Sequence, residues 1–160
     1  MAISAARQAL EPVLRRIFHL YWRVSRGMTL GVRGLVLDAQ GRVFLVKHSY
    51  VSGWHLPGGG VEPGETIWQA LERELREEGN IELTDKPLFH GFYFNGHVSD
   101  RDHVALFIVR AFRQSAPPQP DHEIIAHGFY APDALPDGTS TATRTRIAEA
   151  LSGAPVQDRW

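Results

Sequence analysis

Apolar residues are spaced in two ways along this chain, and the change of spacing marks its elements. Between Pro12 and Val24 the apolar positions Val13, Leu14, Ile17, Phe18, Leu20, Tyr21 and Val24 form one stripe, with the arginines mostly off it. Pro12 suits the first turn of a helix, so a basic amphipathic helix is expected over residues 12–24. From Thr29 the pattern becomes that of strands. Thr29–Asp38 and Val43–His48 are rich in Val and Leu, and Ala39-Gln40-Gly41-Arg42 between them reads as a hairpin turn. Further strands are expected at Phe89–Asn95, His103–Phe112 and His127–Tyr130. A long helix is expected over Ile67–Glu78 and a closing one over Ala142–Leu151, capped by Thr141. Strands on both sides of one long helix, with helices at both chain ends, predict an α/β fold: a sandwich around a mixed sheet with an extra N-terminal helix. Residues 1–27 form the N-terminal helical segment in this reading, and residues 28–160 the main domain.

The helix at Ile67–Glu78 departs from ordinary patterning. At about 100° per residue, Ala70, Leu71 and Leu75 fall within about 80° of Ile67, and so do Glu74, Glu77 and Glu78. Three glutamates therefore continue the buried stripe, while Gln69, Glu72, Arg73 and Arg76 cover the opposite side. Carboxylates gathered on a protein-facing side repel one another at low dielectric, unless a positive charge lies among them or their pKa values rise. The i, i+3, i+4 spacing lets their oxygens meet around one or two ions. Hard oxygen donors without His or Cys favour Mg²⁺, or Mn²⁺, over zinc.

The loop before this helix runs Leu56-Pro57-Gly58-Gly59-Gly60-Val61-Glu62-Pro63-Gly64-Glu65-Thr66. Thr66 and Gln69 have the spacing of a capping box. Gly59 to Thr66 spells G-x-x-x-x-G-E-T, but Glu65 stands where a phosphate-binding loop needs lysine, so that reading fails on charge. Glu65 instead precedes Arg73 by two helical turns, and the pair is expected to pin the loop against the acidic helix.

Composition narrows the chemistry further. The chain has 160 residues, enough for one compact domain with a core, and no cysteine, which excludes disulfides, thiolate metal sites and thiol nucleophiles. The net charge of −1 hides a split: +6 over residues 1–48 and −7 over residues 49–160. Eight histidines are scattered without paired metal-binding spacing, and no G-x-S-x-G elbow occurs. No stretch reaches the roughly 20 uninterrupted apolar residues of a membrane span, and the N-terminal charges lie inside the apolar run, unlike a secretory signal. A cytoplasmic location is therefore expected. No basic cluster lies outside the N-terminal helix, so binding of long nucleic acid is not expected. That helix is expected to pack on the domain or on a second subunit of a homodimer. A peripheral contact with anionic lipid through residues 12–24 is the alternative.

Gly59, Glu65, Arg73-Glu74-Leu75, Glu77-Glu78 and Ile81 together resemble the Nudix box, G-x5-E-x7-R-E-U-x-E-E-x-G-U, with U an aliphatic residue. Asn80 stands at the usual late glycine, either as a left-handed helix end or with the helix ending on Gly79. The resemblance implies a Nudix-type α/β/α sandwich. It also implies metal-dependent hydrolysis of a pyrophosphate bond in a nucleoside diphosphate linked to another moiety, a small-molecule nucleotide substrate. Metal ligands are implied at Glu74, Glu77 and Glu78, with a backbone carbonyl from Gly58 or Gly59, and an orienting pair at Glu65 and Arg73. The general base is a box glutamate or a later acid; Glu123 is the first candidate, with Asp100 and Asp102 as rivals. Tyr50 and Trp54 flank the approach to the glycine loop and are candidates to stack on a base, and Arg33 and Lys47 to contact phosphate. The alternative function is a nucleotide-binding or regulatory module without turnover.

Overall fold

The computed structural model describes residues 16, 18, 21, 27–119 and 122–160. Arg16, Phe18 and Tyr21 are helical; the rest of the expected helix over 12–24 lies outside the described residues, and with it the dimer and lipid readings. No described helix is long and apolar enough to cross a membrane.

The central sheet has three strands in the order β1 (Thr29–Val36), β5 (Asp102–Val109), β4 (Leu88–Phe94). β1 and β5 run parallel, in register from Thr29 opposite Asp102 to Val36 opposite Val109. β4 joins β5 antiparallel, with a bulge between Phe89 and Gly91. A second ladder pairs β2 (Val43–His48) antiparallel with β7 (Ile124–Tyr130), and a third pairs β3 (Ile81–Leu83) with β6 (Phe112–Gln114). Two helices, α1 (Ile67–Gly79) and α2 (Thr141–Ser152), complete the described elements.

Alternation along the central strands assigns a helix to each face. Val32 and Val36 of β1, with Ala105, Phe107 and Val109 of β5, join Ala70, Leu71 and Leu75 of α1 in one buried cluster. Leu35 and Leu37, with Leu106 and Ile108, join Tyr93 and Ile147 of α2 in the other. The sheet is thus covered on both sides, as parallel strands require, and the architecture is the expected α/β/α sandwich around a mixed sheet. At Gly34 an added Cβ would meet Leu75 at 3.0 Å, so a side chain there would push α1 away from the sheet.

Several local expectations change. The turn after β1 forms, with Gly41 N–H donating to the Asp38 carbonyl at 2.9 Å and the Asp38 carboxylate accepting from the Arg42 amide at 2.8 Å. Yet the strands that it joins meet only at a Leu37–Val43 bridge before diverging to β5 and β7. The expected strand over His103–Phe112 stops at Val109, and Phe112 begins β6. The cap of α2 is Ser140, whose Oγ accepts from the Thr143 amide at 3.1 Å; Thr141 is the first helical residue.

α1 starts on the expected capping box: the Gln69 amide donates to Thr66 Oγ1 at 3.2 Å, and the Thr66 amide to Gln69 Oε1 at 2.9 Å. It ends on Asn80, at φ 50°, so the left-handed residue is the one at the usual late glycine. Asparagine adds a contact that glycine lacks, donating from Nδ2 to the Ala116 carbonyl at 2.9 Å. Asn80→Ala is expected to cost about 2 kcal/mol in urea unfolding, the sum of a left-handed alanine and a lost hydrogen bond. Asn80→Gly, which keeps the backbone conformation, should cost about 1 kcal/mol. A larger loss for glycine than for alanine would show that the backbone conformation is not the controlling cost.

Candidate active site

The acidic face of α1 and the glycine loop enclose a cleft of about 340 Å³. Its walls are Glu74, Glu77, Glu78 and Arg73 from α1, Gly58, Gly59 and Gly60 from the loop, and Tyr50, Glu123 and Ile124.

The loop is bound to β1 almost as another strand. The Val32 amide donates to the Gly59 carbonyl at 2.8 Å, the Gly34 amide to Pro57 at 2.9 Å, and the Val61 amide to Leu30 at 2.8 Å. Arg33 closes the arrangement, donating from Nη1 to the Leu56 carbonyl at 3.0 Å and to the Gly58 carbonyl. Gly58 sits at φ 138°, where a Cβ would collide with the Val32 carbonyl oxygen. A Cβ at Gly59 would occupy the place of the Glu74 carboxylate. Both glycines are therefore dictated by what lies against them.

Arg73 holds the acidic side together. Its Nε and Nη2 grip both oxygens of Glu65 at 3.0 Å each, the bidentate geometry that favours arginine. Its Nη1 donates to Glu74 Oε1 at 2.7 Å and reaches Glu77 Oε2 at 3.5 Å, and its Nη2 donates to the Gly60 carbonyl at 3.0 Å. The Arg73 bonds, helped by the Glu62 amide, hold the Glu65 carboxyl below its ordinary range, and the Glu65 and Glu74 carboxylates in turn raise the Arg73 pKa. The loop, the start of α1 and two of the three wall carboxylates thus share one guanidinium.

Glu78 and Glu74 are shielded, their side chains 12% and 13% exposed, against 61% for Glu77. Glu78 Oε2 accepts from the Gly58 amide at 2.7 Å, and its Oε1 lies 3.4 Å from His48 Nε2. Burial pushes its pKa up to about 7, against the Arg33 charge and the Gly58 amide, while Glu74 and Glu123 add to the rise. Burial also lowers the His48 pKa to about 4, aided by Arg33 and His55, so this imidazole is neutral at neutral pH. Tyr50 stands at the cleft mouth, 68% exposed, its ring 5.2 Å from that of His48. Its hydroxyl pKa is raised, first by burial and then by Glu78 and Glu123.

Among the described residues no three His, Asp or Glu side chains stand close enough together to hold an ion, because Glu74 is turned to Arg73 and Glu78 to Gly58. The donor set nevertheless fits a hard divalent cation in kind: three carboxylates line the cleft, with no sulfur or imidazole among the described lining groups. The Gly58 and Gly59 carbonyls each have one hydrogen bond and a second lone pair.

The sequence-based candidates divide clearly. Glu65, Arg73, Glu74, Glu77, Glu78, Gly58, Gly59, Tyr50 and Glu123 come together at or beside the cleft. Trp54 does not line it; its ring packs edge-on against Tyr130 at 5.2 Å, on the α2 side of the core. Lys47 does not line it either, and Arg33 lies behind the loop, committed to its carbonyls. Asp102 is taken up by Thr29 at 2.6 Å and Asn95 at 2.7 Å, and neither it nor Asp100 reaches the cleft. His48 was hidden among eight histidines. Its only signal in the sequence is its place, at the end of a strand whose first four residues are apolar and two residues before Tyr50.

The profile of the NUDIX domain matches residues 27–151. The RNA pyrophosphohydrolase of Nitrobacter winogradskyi is 41% identical over 75 residues, 46% of this chain and 43% of that protein. The 8-oxo-dGDP phosphatase NUDT18 of Homo sapiens is 35% identical over 69 residues, 41% of this chain and 21% of that protein. The chain thus spans less than half the length of these curated relatives. Among solved structures, a MutT NUDIX hydrolase from Burkholderia pseudomallei superposes with a TM-score of 0.63 at 25% identity, over 74% of this chain and 95% of that one. The profile begins two residues before β1 and ends in the last turn of α2, so it takes in the sheet, both helices and the whole cleft: this chain belongs to the NUDIX domain family.

Proposed function

We propose that this chain hydrolyses a pyrophosphate bond in a small nucleotide, a nucleoside diphosphate linked to another moiety, with the help of Mg²⁺ or Mn²⁺. The observation that carries this reading is that Glu74, Glu77 and Glu78 line one cleft together with the glycine backbone of residues 58–60. A purely structural helix face has no use for a buried carboxylate whose pKa stands near 7, and a site that only binds nucleotide has no use for three acids facing a polyphosphate.

Each side chain then has a part. Glu74, Glu77 and Glu78 would hold the cation, with a Gly58 or Gly59 carbonyl as a further oxygen donor. A bound divalent cation would neutralise phosphate oxygens, acidify the attacking water and stabilise the departing phosphate. Arg73 keeps Glu74 and Glu77 from splaying apart and ties them to Glu65 and the loop. Glu123, which also lines the cleft, would take the proton from the attacking water. Tyr50 offers an exposed ring at the mouth on which a base can stack.

The test is release of phosphate or nucleotide from a panel of ADP-ribose, dinucleoside polyphosphates, nucleoside triphosphates, NADH and RNA with a 5′-triphosphate, each with Mg²⁺, with Mn²⁺ and with chelator. At least one member is expected to turn over only with metal, and Glu77→Gln to lower kcat at least about 100-fold at nearly unchanged KM. Turnover unaffected by chelator, or a panel that is bound but untouched by the parent protein, would overturn the reading.

A further inference from the structure

His48 is the one polar side chain buried in β2, where Val43, Phe44, Leu45 and Val46 are the buried apolar positions. Its ring is hemmed in by Tyr50, with centroids 5.2 Å apart, and by His55 at 6.3 Å. Nδ1 is buried without a hydrogen-bond partner among the described residues. A proton on Nδ1 would meet no acceptor among the described residues, whereas one on Nε2 faces Glu78 Oε1 at 3.4 Å. The other oxygen of the same carboxylate already accepts from the Gly58 amide at 2.7 Å. Glu78 is therefore approached by a donor from the loop on one oxygen and by a donor from β2 on the other. His48 itself does not line the cleft, so it acts through Glu78 and not on substrate.

We propose that His48 is a positioning residue, donating from Nε2 to Glu78 and fixing the plane of that carboxylate when the cleft holds its cation. This rests on the hydrolytic reading above for its kinetic consequence, but not for its effect on cation binding. At 3.4 Å the contact is longer than an ordinary hydrogen bond, and contacts of this kind tighten as a site fills. Donors that orient a ligating side chain are worth about 10- to 100-fold in metal affinity or activity.

Two substitutions separate orientation from packing. His48→Gln keeps an amide donor near the place of Nε2, whereas His48→Leu keeps apolar bulk and loses the donor. Mn²⁺ affinity is measured by electron paramagnetic resonance without nucleotide, and kcat and KM on the substrate that the parent turns over. His48→Leu is expected to weaken Mn²⁺ binding and lower kcat about 10-fold or more, with nucleotide KM within about 2-fold, and His48→Gln to recover both to within about 3-fold. Leucine equal to the parent in Mn²⁺ affinity, or glutamine as impaired as leucine, overturns the proposal. If the parent binds Mn²⁺ but hydrolyses no panel member, the hydrolytic reading fails while the Mn²⁺ affinities still decide for or against His48. Should leucine prevent folding, ¹⁵N spectra of the parent imidazole decide instead: a proton on Nε2 supports the proposal, and one on Nδ1 overturns it.

Discussion

An alanine at Gly58 is expected to abolish most turnover and to lower the melting temperature by about 10 °C. The backbone there, at φ 138°, lies in a region open essentially to glycine alone, and the new Cβ would collide with the Val32 carbonyl and stand 3.0 Å from the Arg33 Cα. Both obstacles are main chain of β1, held in the sheet by β5, so neither can rotate away. The loop must leave β1, giving up the bonds of Arg33 and the Val32 amide, at a cost of at least about 3 kcal/mol. For a domain of this size that is about 10 °C in Tm. A wall shifted by about 1 Å costs about 100-fold in rate, because the carboxylates and the bond to be cleaved no longer face each other. Gly60→Ala is the control: its Cβ meets nothing within 4 Å, so calorimetry should find its Tm within about 3 °C of the parent. Equal destabilisation by the two alanines would mean that the Val32 carbonyl is not the obstacle.

Replacing Glu78 by glutamine is expected to make the metal-free protein more stable while removing its activity. With its pKa raised from 4.5 to about 7, folded Glu78 keeps a proton that the unfolded chain gives up. Its contribution to stability is therefore fully present below pH 4.5 and is lost as pH rises through 7, by about 3 kcal/mol. His48 acts in the opposite sense: its pKa falls from 6.5 to about 4, so its destabilising effect is felt at acid pH and disappears as pH rises through 6.5. The two slopes largely cancel in the parent between about pH 4.5 and 6.5. In Glu78→Gln only the histidine slope remains. Urea unfolding in chelator should accordingly show the variant gaining about 3 kcal/mol on the parent between pH 4.5 and 8. Saturating Mg²⁺ should close that gap by stabilising the parent alone, by about 2.7 kcal/mol at a hundredfold excess over Kd. A pH-independent difference would show that Glu78 titrates normally and is not starved of solvent.

What could be read from the sequence was what repeats locally. α1 was legible because apolar and acidic residues share one 3.6-residue stripe, and its start because a capping box is a chemical signal in itself; its end stayed open between Gly79 and Asn80, since both residues tolerate the left-handed conformation that Asn80 adopts. β3 and β6 were not legible, since three residues each are too few to show alternation. The divergence of β1 and β2 was also hidden, because a turn sequence specifies a reversal and not the partner of each strand. Within the site, Glu65 and Arg73 could be paired because the helix sets the distance between them. Arg33 could not be placed, since its carbonyl partners lie 23 and 25 residues away across a tertiary contact. Trp54 and Tyr50 flank the same irregular segment, and no periodicity there says which ring faces the core.

The glycine loop, bound along β1 by amides on both sides, has a consequence for how a ligand is received. Three consecutive glycines in an unfolded chain have more conformational freedom than any other triplet, and ordering them is costly. Here the ordering is completed as the sheet forms, because the Val32, Gly34 and Val61 amides are already committed. A ligand that enters the cleft therefore meets a wall that is set in advance, and none of its binding energy is diverted to arranging that wall. Moving the loop means breaking its bonds to β1, so the exposed Glu77 carboxylate and the exposed ring of Tyr50 are the parts of the cleft that adjust at least cost.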